Sequence, residues 1–477
     1  MTTLVWLRDD LRLADNPALH AAVERGEPVL LLYIFDEVST GIRPLGGAVK
    51  WWLHESLSSL SARVAGRGGR LLLRRGAAFD VLRDLLRETQ ASAIFWNRRY
   101  GLAERTIDTA VKEYAKASGI EAESFGAHLL FEPWTIRTGT GTPYTVFTPF
   151  WKACLSQAEP PRTPLPDVAK FSKKDAALDA LASDELATWE LQPTNPDWAI
   201  GLRNKWKVGE PAAAEALENF VNKGLPHYGT GRDFPAQRVT SELSPHLRFG
   251  EISPHQIWHR IEQVKKKADA PLLTNAAKFL SEVGWREFSY NLLFHWPELA
   301  TVNFDRKFDS FPWLPPEPAQ LAAWREGRTG IPLVDAGMRE LWQTGTMHNR
   351  VRMVAASFLI KNLLVDWRVG EAWFWDTLVD ADPASNAASW QWVAGSGADA
   401  APYFRVFNPL LQAEKFDPQG IYLKRYLGDY EMPMLSGYPE PIVDVRESRD
   451  RALAALKHLE GVPRQIDPPH PFEVNAV

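Results

Sequence analysis

Residues 28–35 read PVLLLYIF, an apolar run with the length of one β-strand. Similar runs lie at 3–8 (TLVWLR), 70–76 (RLLLRRG), 92–97 (SAIFWN) and 122–131 (AESFGAHLLF). Helical segments separate these runs, among them residues 48–64 and 78–90. Strands that are apolar on both faces and alternate with helices indicate a parallel sheet covered by helices on both sides. We therefore predict a doubly wound α/β domain over residues 1–132.

The rest of the chain divides into two further parts. Between about 156 and 204 the chain is rich in Pro, Ser, Asp and Ala, which is typical of a connector with at most short helices. Beyond residue 205 helical periodicity replaces the strand pattern, most clearly in 278–296 and 336–367. We predict a connector over 133–204 and an all-α domain over 205–477.

Composition excludes several classes of protein. The 477 residues are 45% apolar and 24% charged, as in ordinary globular proteins. No apolar run approaches the roughly 20 residues that span a bilayer, and the charged residues at 8–10 do not fit a secretory signal. Cys154 is the single cysteine, which excludes an intramolecular disulfide, a Cys-rich zinc site and a cysteine-held iron–sulfur cluster. We expect a cytoplasmic protein without membrane association.

Phosphate and nucleic-acid partners need separate evidence. No Gly-x-Gly-x-x-Gly or phosphate-loop motif follows the first strand, so the usual dinucleotide and nucleotide signatures are absent. The formal net charge is −5, which leaves any nucleic-acid binding to a local basic patch.

One helical segment carries three functional groups on one face. Glu282, Trp285 and Arg286 stand at positions i, i+3 and i+4, so an acid, a flat ring and a cation are neighbours. They form either part of a site or a surface ion pair beside a core tryptophan.

A second polar group lies in residues 346–353, TMHNRVRM, inside an otherwise apolar helical pattern. Buried arginines need anionic partners, and the segment 378–386 (LVDADPASN) offers Asp380 and Asp382 to Arg350 and Arg352. A structural salt bridge would explain the same residues.

Hydroxyl side chains cluster at 240–244, where a helix is expected to begin. Backbone N–H groups at a helix start bind phosphate oxygens well, and Thr240, Ser241 and Ser244 would add hydroxyls. Capping of that helix is the alternative.

The chain contains 20 tryptophans, and several fall in the helical part. Trp313, Trp367, Trp390 and Trp392 are either core residues or, since indole is easily oxidised by one electron, members of an electron relay. The sequence alone leaves both interpretations open.

Taken together, these segments resemble the photolyase/cryptochrome family. The resemblance runs from residue 5 to about 430 and is densest in GWREF, MHNRVRM, SFLIKNLLVDWR, SNAASWQW and DAAPYFRVFNP. Within the family the chain is most similar to bacterial cyclobutane pyrimidine dimer photolyases of the class III branch, near plant cryptochromes. The resemblance implies light-driven DNA repair, in which excited reduced FAD in the helical domain passes an electron to a lesion flipped out of the duplex.

The resemblance also implies roles for individual residues. FAD binding falls to Tyr228, Thr240, Ser241, Ser244, Arg286, Arg352, Asp380, Asp382 and Asn386, with Asn386 facing the flavin N5. The lesion pocket consists of Glu282, Trp285, Asn349, Met353 and Trp392, and Glu282, if protonated or well hydrogen-bonded, stabilises the lesion radical anion. Arg232, Arg350 and Arg405 hold DNA phosphates, and Trp390, Trp367 and Trp313 form the photoreduction chain from flavin to surface.

The partner implied is ultraviolet-damaged DNA, bound by a monomer. A folate antenna is expected near Trp51, Trp52 and Glu104. Asn349 and Met353 replace the histidine pair of family members that repair (6-4) photoproducts, which excludes that specificity. The alternative function is a cryptochrome-type blue-light receptor that signals through a partner; Asn386, where plant sensors have aspartate, argues against it.

The chain departs from the family pattern at two positions near the expected site. Thr346 and Phe279 replace a large aromatic residue and a tryptophan, respectively. Thr346 is expected to leave space beside the pocket, which puts lesion fit or flavin packing in question.

Overall fold

The five predicted apolar runs form one parallel sheet in a computed structural model that describes residues 2–171, 176–400, 404–428 and 438–471. The strands are β1 (Thr3–Leu7), β2 (Val29–Phe35), β3 (Leu71–Arg75), β4 (Ala93–Asn97) and β5 (Glu121–Phe125). Their order in the sheet is β3-β2-β1-β4-β5. From β1 the chain adds β2 and β3 toward one edge of the sheet, and it then adds β4 and β5 toward the opposite edge. This reversal in strand order lies between β1 and β4 and creates a crevice at the carboxyl ends of these two strands.

The fifth strand is shorter than predicted. The expected run reached residue 131, but β5 ends at Phe125, which pairs with Asn97, the last residue of β4. No neighbouring strand extends further, so residues 126–131 leave the sheet and cross toward the helical part of the chain.

Helices cover both faces of the sheet, as the apolar strands require. They are α1 (Pro17–Glu24), α2 (Gly47–Gly66), α3 (Ala78–Thr89) and α4 (Leu102–Ala117). Leu31 and Leu57 pack in the core on one face, and Leu32 and Leu82 in the core on the other. The predicted α/β architecture is confirmed.

Across the predicted connector, the described residues form three short helices, the last of which ends one residue beyond it. They are α5 (Phe147–Leu155), α6 (Ala176–Asp179) and α7 (Ile200–Lys205), with a 3₁₀ turn at Leu186–Trp189. The predicted domain boundaries at 132 and 204 remain predictions.

The rest of the described chain is helical, as predicted. Its helices are α8 (Glu210–Asn219), α9 (Tyr228–Gly231), α10 (Ser244–Arg248), α11 (Pro254–Lys265), α12 (Ala270–His295), α13 (Pro318–Glu326), α14 (Pro332–Thr344), α15 (Asn349–Ser357), α16 (Trp367–Thr377), α17 (Ser385–Ala394), α18 (Pro409–Phe416), α19 (Ile421–Leu427) and α20 (Val445–Lys457). Short 3₁₀ and π-helical turns lie at Phe220–Gly224, Leu225–His227, Arg306–Ser310 and Phe358–Asn362. Within the described ranges, no helix combines the length and apolarity that a bilayer crossing requires.

Two glycines shape the helical part of the chain: one allows the longest helix to pack closely, and the other ends a helix. Gly284 of α12 lies against the Trp151 ring of α5, where a Cβ would come within 2.6 Å of the indole. The apolar pattern at 336–367 is broken at Gly345, whose φ of 65° ends α14. The side chain of His348 then caps α15 by accepting from the N–H of Arg350.

Candidate functional site

A cavity of about 550 Å³ lies in the crevice between the sheet and the helical part, and a second one of about 540 Å³ lies within the helices. Both have volumes typical of cofactor sites, roughly 300–1,000 Å³. We call the second the helical cavity; α12, α15, α16 and α17 form its walls.

One end of the helical cavity is lined by hydroxyls and a cation. Ser241 and Ser244 border it before and at the start of α10, and Arg286 enters from α12. Arg286 donates to the backbone oxygen of His128 at 2.7 Å and to its Nε2 at 2.6 Å. Burial lowers the pKa of His128 well below its ordinary value, so the ring is neutral and Nε2 accepts.

An ion pair forms part of another wall of the helical cavity. Arg352 Nη2 lies 3.0 Å from a buried Asp380 oxygen, and its Nε donates to the Met347 carbonyl at 2.6 Å. Thr346 Oγ1 accepts from the same guanidinium at 3.3 Å. Thr346 therefore orients Arg352 from the turn before α15.

Asp382 lies at the start of α17 with both oxygens engaged. Oδ1 accepts from the N–H groups of Ala384 and Ser385 at 2.9 and 2.7 Å, and Oδ2 accepts from the Tyr290 hydroxyl at 2.7 Å. Burial, with the charge of Asp382, raises the pKa of Tyr290 well above its usual value. Tyr290 thus stays protonated and fixes the carboxylate that faces the cavity.

Asn386 has a defined amide orientation. Its Nδ2 donates to Glu371 Oε1 at 2.8 Å and to the Glu371 carbonyl at 3.1 Å. Because a carboxylate only accepts, Oδ1 is the amide atom left for a donor in the cavity. Trp390, one turn further along α17, is buried and also lines the cavity.

The mouth of the cavity combines a flat wall with polar groups. Trp285 stacks on Phe147 of the connector, with ring centroids 3.8 Å apart and planes at 10°. Glu282 forms an ion pair with Arg232 on the same side. Asn349 and Met353 face the mouth from α15, and Trp392 faces it from α17.

Comparison with known proteins identifies this combination. A family model described as "DNA photolyase" matches residues 3–169, and one described as "FAD binding domain of DNA photolyase" matches residues 279–432. A deoxyribodipyrimidine photo-lyase of Agrobacterium fabrum is 48% identical over 474 residues, 95% of this chain and 97% of that protein. The chain belongs to the DNA photolyase family.

Two further relatives show the range of the family. The crystal structure of a bacterial class III photolyase from Agrobacterium tumefaciens superposes with a TM-score of 0.90 at 46% identity, covering 96% of this chain and 98% of that one. Cryptochrome-1 of Arabidopsis thaliana is 36% identical over 485 residues, 96% of this chain and 70% of that protein.

Most residues predicted from the photolyase resemblance meet at the helical cavity. Those that line it are Tyr228, Arg232, Ser241, Ser244, Glu282, Trp285, Arg286, Asn349, Arg352, Met353, Asp380, Asp382, Asn386, Trp390 and Trp392. Thr240 is exposed and lies outside this lining, which includes Ser241, Leu243 and Ser244 from the same stretch. Phe279 lines the cavity and packs on Phe220 at 4.4 Å, so phenylalanine fills this position.

Of the predicted relay tryptophans, Trp390 lines the helical cavity, and Trp367 and Trp313 lie outside its lining. A Cβ at Gly370 would meet the Trp390 ring, so this indole rests on α16, one turn from the buried Trp367. Trp313 is half-buried, and Leu314 donates to the Leu364 carbonyl, which brings its segment near the start of α16. Trp390 also contacts Phe374 and Trp324, with ring centroids 4.9 and 6.3 Å apart. The sequence did not predict these last two contacts.

Two predicted DNA-binding arginines lie outside the cavity lining. Arg350 is 2.8 Å from Asp233 and stacks on Phe416. Arg405 is exposed, and Lys361 donates to its backbone oxygen at 2.6 Å. Both therefore remain candidates for the DNA backbone rather than for the cavity.

The three residues expected near the antenna do not line the same cavity. Glu104 lines the cavity at the end of the sheet, which we call the interdomain cavity. Trp51 and Trp52 are 1% and 0% exposed, and Trp52 Nε1 donates to Glu251 at 3.1 Å. These two indoles fill the core and do not border the interdomain cavity.

Several residues of the site could not be found by motif. Arg248 borders both cavities, pairs with Asp9 at 2.8 Å and donates to the Ala381 carbonyl. His128 and Tyr290 also lie between the cavities, 2.8 Å apart. They come from distant parts of the chain, and no spacing in the sequence connects them.

Proposed function

We infer that this chain is a deoxyribodipyrimidine photo-lyase with an FAD-binding helical domain, and we propose that it splits cyclobutane pyrimidine dimers in DNA under blue light. The observation that carries the proposal is one cavity that joins cofactor-type polar groups to an aromatic mouth. The 48% identical relative, named a deoxyribodipyrimidine photo-lyase, supports it. We assign the chain to the class III branch, to which the superposed photolyase of Agrobacterium tumefaciens belongs.

The helical cavity fits FAD by its donor set. Ser241, Ser244 and Arg286 suit a diphosphate, since hydroxyls and guanidinium groups bind phosphate oxygens well. The Arg352–Asp380 pair and Asp382 offer donors and acceptors to the polar part of a flavin ring. FAD held by these residues would, in its reduced form and under light, supply reversible one-electron transfer to the dimer, without net redox change.

The mouth of the cavity suits an extruded base pair. Flipping costs a few kcal/mol, least for a damaged base that stacks poorly. Trp285 and Trp392 provide flat walls on which the two rings can rest. Glu282 and Asn349 bind base edges by hydrogen bonds, and Glu282 in its protonated form would donate to the dimer while the dimer carries negative charge.

Cations around the mouth suit the DNA backbone. Arg232, Arg350 and Arg405 position the flanking phosphates, which fixes register without reading sequence. This binding is expected to weaken as salt rises, because bound phosphates release counterions.

The three predicted relay tryptophans serve photoreduction. Trp390 and Trp367 are buried and Trp313 is half-buried, so the three can carry an electron from the surface to the cavity. We propose in addition a folate antenna, with Glu104 of the interdomain cavity among its contacts, and a cytoplasmic monomer.

The test is direct. Purified, reduced protein is illuminated with blue light in the presence of ultraviolet-damaged oligothymidine, and the loss of dimers is followed beside a dark control. Dimers should disappear only in the light. If FAD is bound and reduced but dimers persist, the proposed activity is wrong.

A further inference from the structure

An arginine of the α/β domain reaches into the wall of the helical domain. Arg43 lies between β2 and α2, and its Nη1 and Nη2 bind the two oxygens of Glu371 at 2.7 and 2.9 Å. Its guanidinium also lies 4.1 Å from the centre of the Trp375 ring. Glu371 and Trp375 stand one turn apart on α16, so both contacts fix the arginine on this helix.

Glu371 connects Arg43 to Asn386, which lines the helical cavity. Its side chain is only 4% exposed, and the oxygen that binds Arg43 Nη1 also accepts from Asn386 Nδ2 at 2.8 Å. A buried carboxylate without a cationic partner is costly. Among the described residues, Arg43 is the only one whose cationic nitrogen lies within 4.0 Å of a Glu371 carboxylate oxygen.

Two acceptors of Glu371, its side-chain Oε1 and its backbone carbonyl, determine which amide atom of Asn386 faces the cavity. A carboxylate accepts only, so it holds Nδ2 of Asn386 and turns Oδ1 inward. Without Arg43 the carboxylate loses the two bonds that fix its position, and its bond to Nδ2 is no longer held in place. A flavin carries an N–H at N5 when reduced and a bare nitrogen when oxidised, so an inward Oδ1 favours the reduced form.

We propose that Arg43 is a positioning residue for the flavin site: from the α/β domain it holds Glu371 so that Asn386 presents an acceptor to the cofactor. The proposal rests on FAD binding in the helical cavity. Under this proposal, a contact between the two domains helps to stabilise the reduced form of the cofactor.

The first experiment compares Arg43→Gln with the wild-type holoenzyme. The ratio of reduced to oxidised FAD is measured by absorbance against a redox dye at one fixed potential. Since hydrogen bonds to charged groups contribute about 1.5–3 kcal/mol, we expect this ratio to fall about tenfold or more. Arg67→Gln, which removes an arginine paired with Asp167 on the same domain, is the matched control and should not change the ratio. Arg43→Lys, which keeps the charge, should restore most of it.

A double-mutant cycle separates positioning from simple domain adhesion. If Arg43 acts through Glu371, Arg43→Gln combined with Glu371→Gln gives the same ratio as Glu371→Gln alone. Equal ratios in Arg43→Gln and wild type, or additive losses in the double variant, would overturn the proposal.

FAD content distinguishes this result from the proposed function itself. Wild-type protein that binds no FAD contradicts the proposed function and this inference with it. Wild-type protein that binds FAD and repairs dimers, with a ratio insensitive to Arg43→Gln, contradicts the inference alone. If Arg43→Gln does not fold, Glu371→Gln supplies the comparison: the ratio should fall, and a ratio equal to that of wild type overturns the proposal.

Discussion

Replacing Trp285 by alanine should weaken binding of damaged DNA selectively. One face of this indole lies on Phe147 at 3.8 Å, and the side chain lines the mouth of the helical cavity. A base stacked on an aromatic side chain contributes about 1–3 kcal/mol. At 1.4 kcal/mol per factor of ten, Trp285→Ala should lower the affinity for a dimer about 5- to 150-fold.

Fluorescence anisotropy at one fixed salt concentration measures this effect on two duplexes, one with a single thymine dimer and one undamaged. The undamaged duplex should bind almost as to wild type, because its bases stay stacked and its phosphates meet the same arginines. Trp342→Ala is the matched control. This indole is 53% exposed and stacks on Trp373 at 6.3 Å, outside the cavity lining.

Two results would refute the assignment of Trp285 to the lesion pocket. One is an equal loss of affinity for both duplexes, which would point to a general loss of structure or of phosphate contacts. The other is a dimer affinity within about twofold of wild type, well below the effect of one stacked base. FAD content and the melting temperature of the variant must match wild type for either result to count.

Three further changes test other parts of the site. Trp390→Phe should slow photoreduction, measured by flavin absorbance under light, yet spare dimer repair by chemically pre-reduced enzyme; loss of both would contradict the relay. Arg405→Ala should weaken damaged and undamaged DNA alike and reduce the salt slope of log K by about 1, whereas an unchanged slope would remove it from the phosphate contacts. Burial raises the pKa of Glu287 to about 8, above roughly 4.3 when unfolded, so between these values the folded chain holds a proton that the unfolded chain lacks, and stability falls as pH rises. Glu287→Gln should flatten the dependence of Tm on pH from about 5 to 8; an unchanged slope would exclude this titration.

The sequence predicts the sheet because the length and apolar pattern of each strand are local properties of the chain. Each strand begins within two residues of its apolar run, and the helices between them follow. The fifth strand stops early because its partner β4 ends at Asn97, which is a property of the neighbour and not of the run itself. The break at Gly345 is similarly local, since its positive φ ends α14.

The candidate site was predictable where its residues share a helix or a short motif. Glu282 and Trp285 face one cavity because they lie one turn apart, and Asn349 and Met353 do so for the same reason. Contacts across the chain were not predictable in this way. Arg43 and Glu371 are 328 residues apart, and neither position carries a pattern that indicates the other.

The arginines proposed to hold DNA are already paired with carboxylates. Arg232 pairs with Glu282 and Arg350 with Asp233, and the charge of Arg350 lowers the pKa of Asp233 despite burial that raises it. A phosphate therefore competes with a carboxylate at each guanidinium, so net binding is expected to be weaker than a count of cations suggests. At Arg232 the exchange has a second consequence, because it releases Glu282 at the mouth of the lesion pocket. Contact with the backbone and recognition of the flipped bases are then linked through one ion pair, and the carboxylate becomes available when a phosphate has taken its partner.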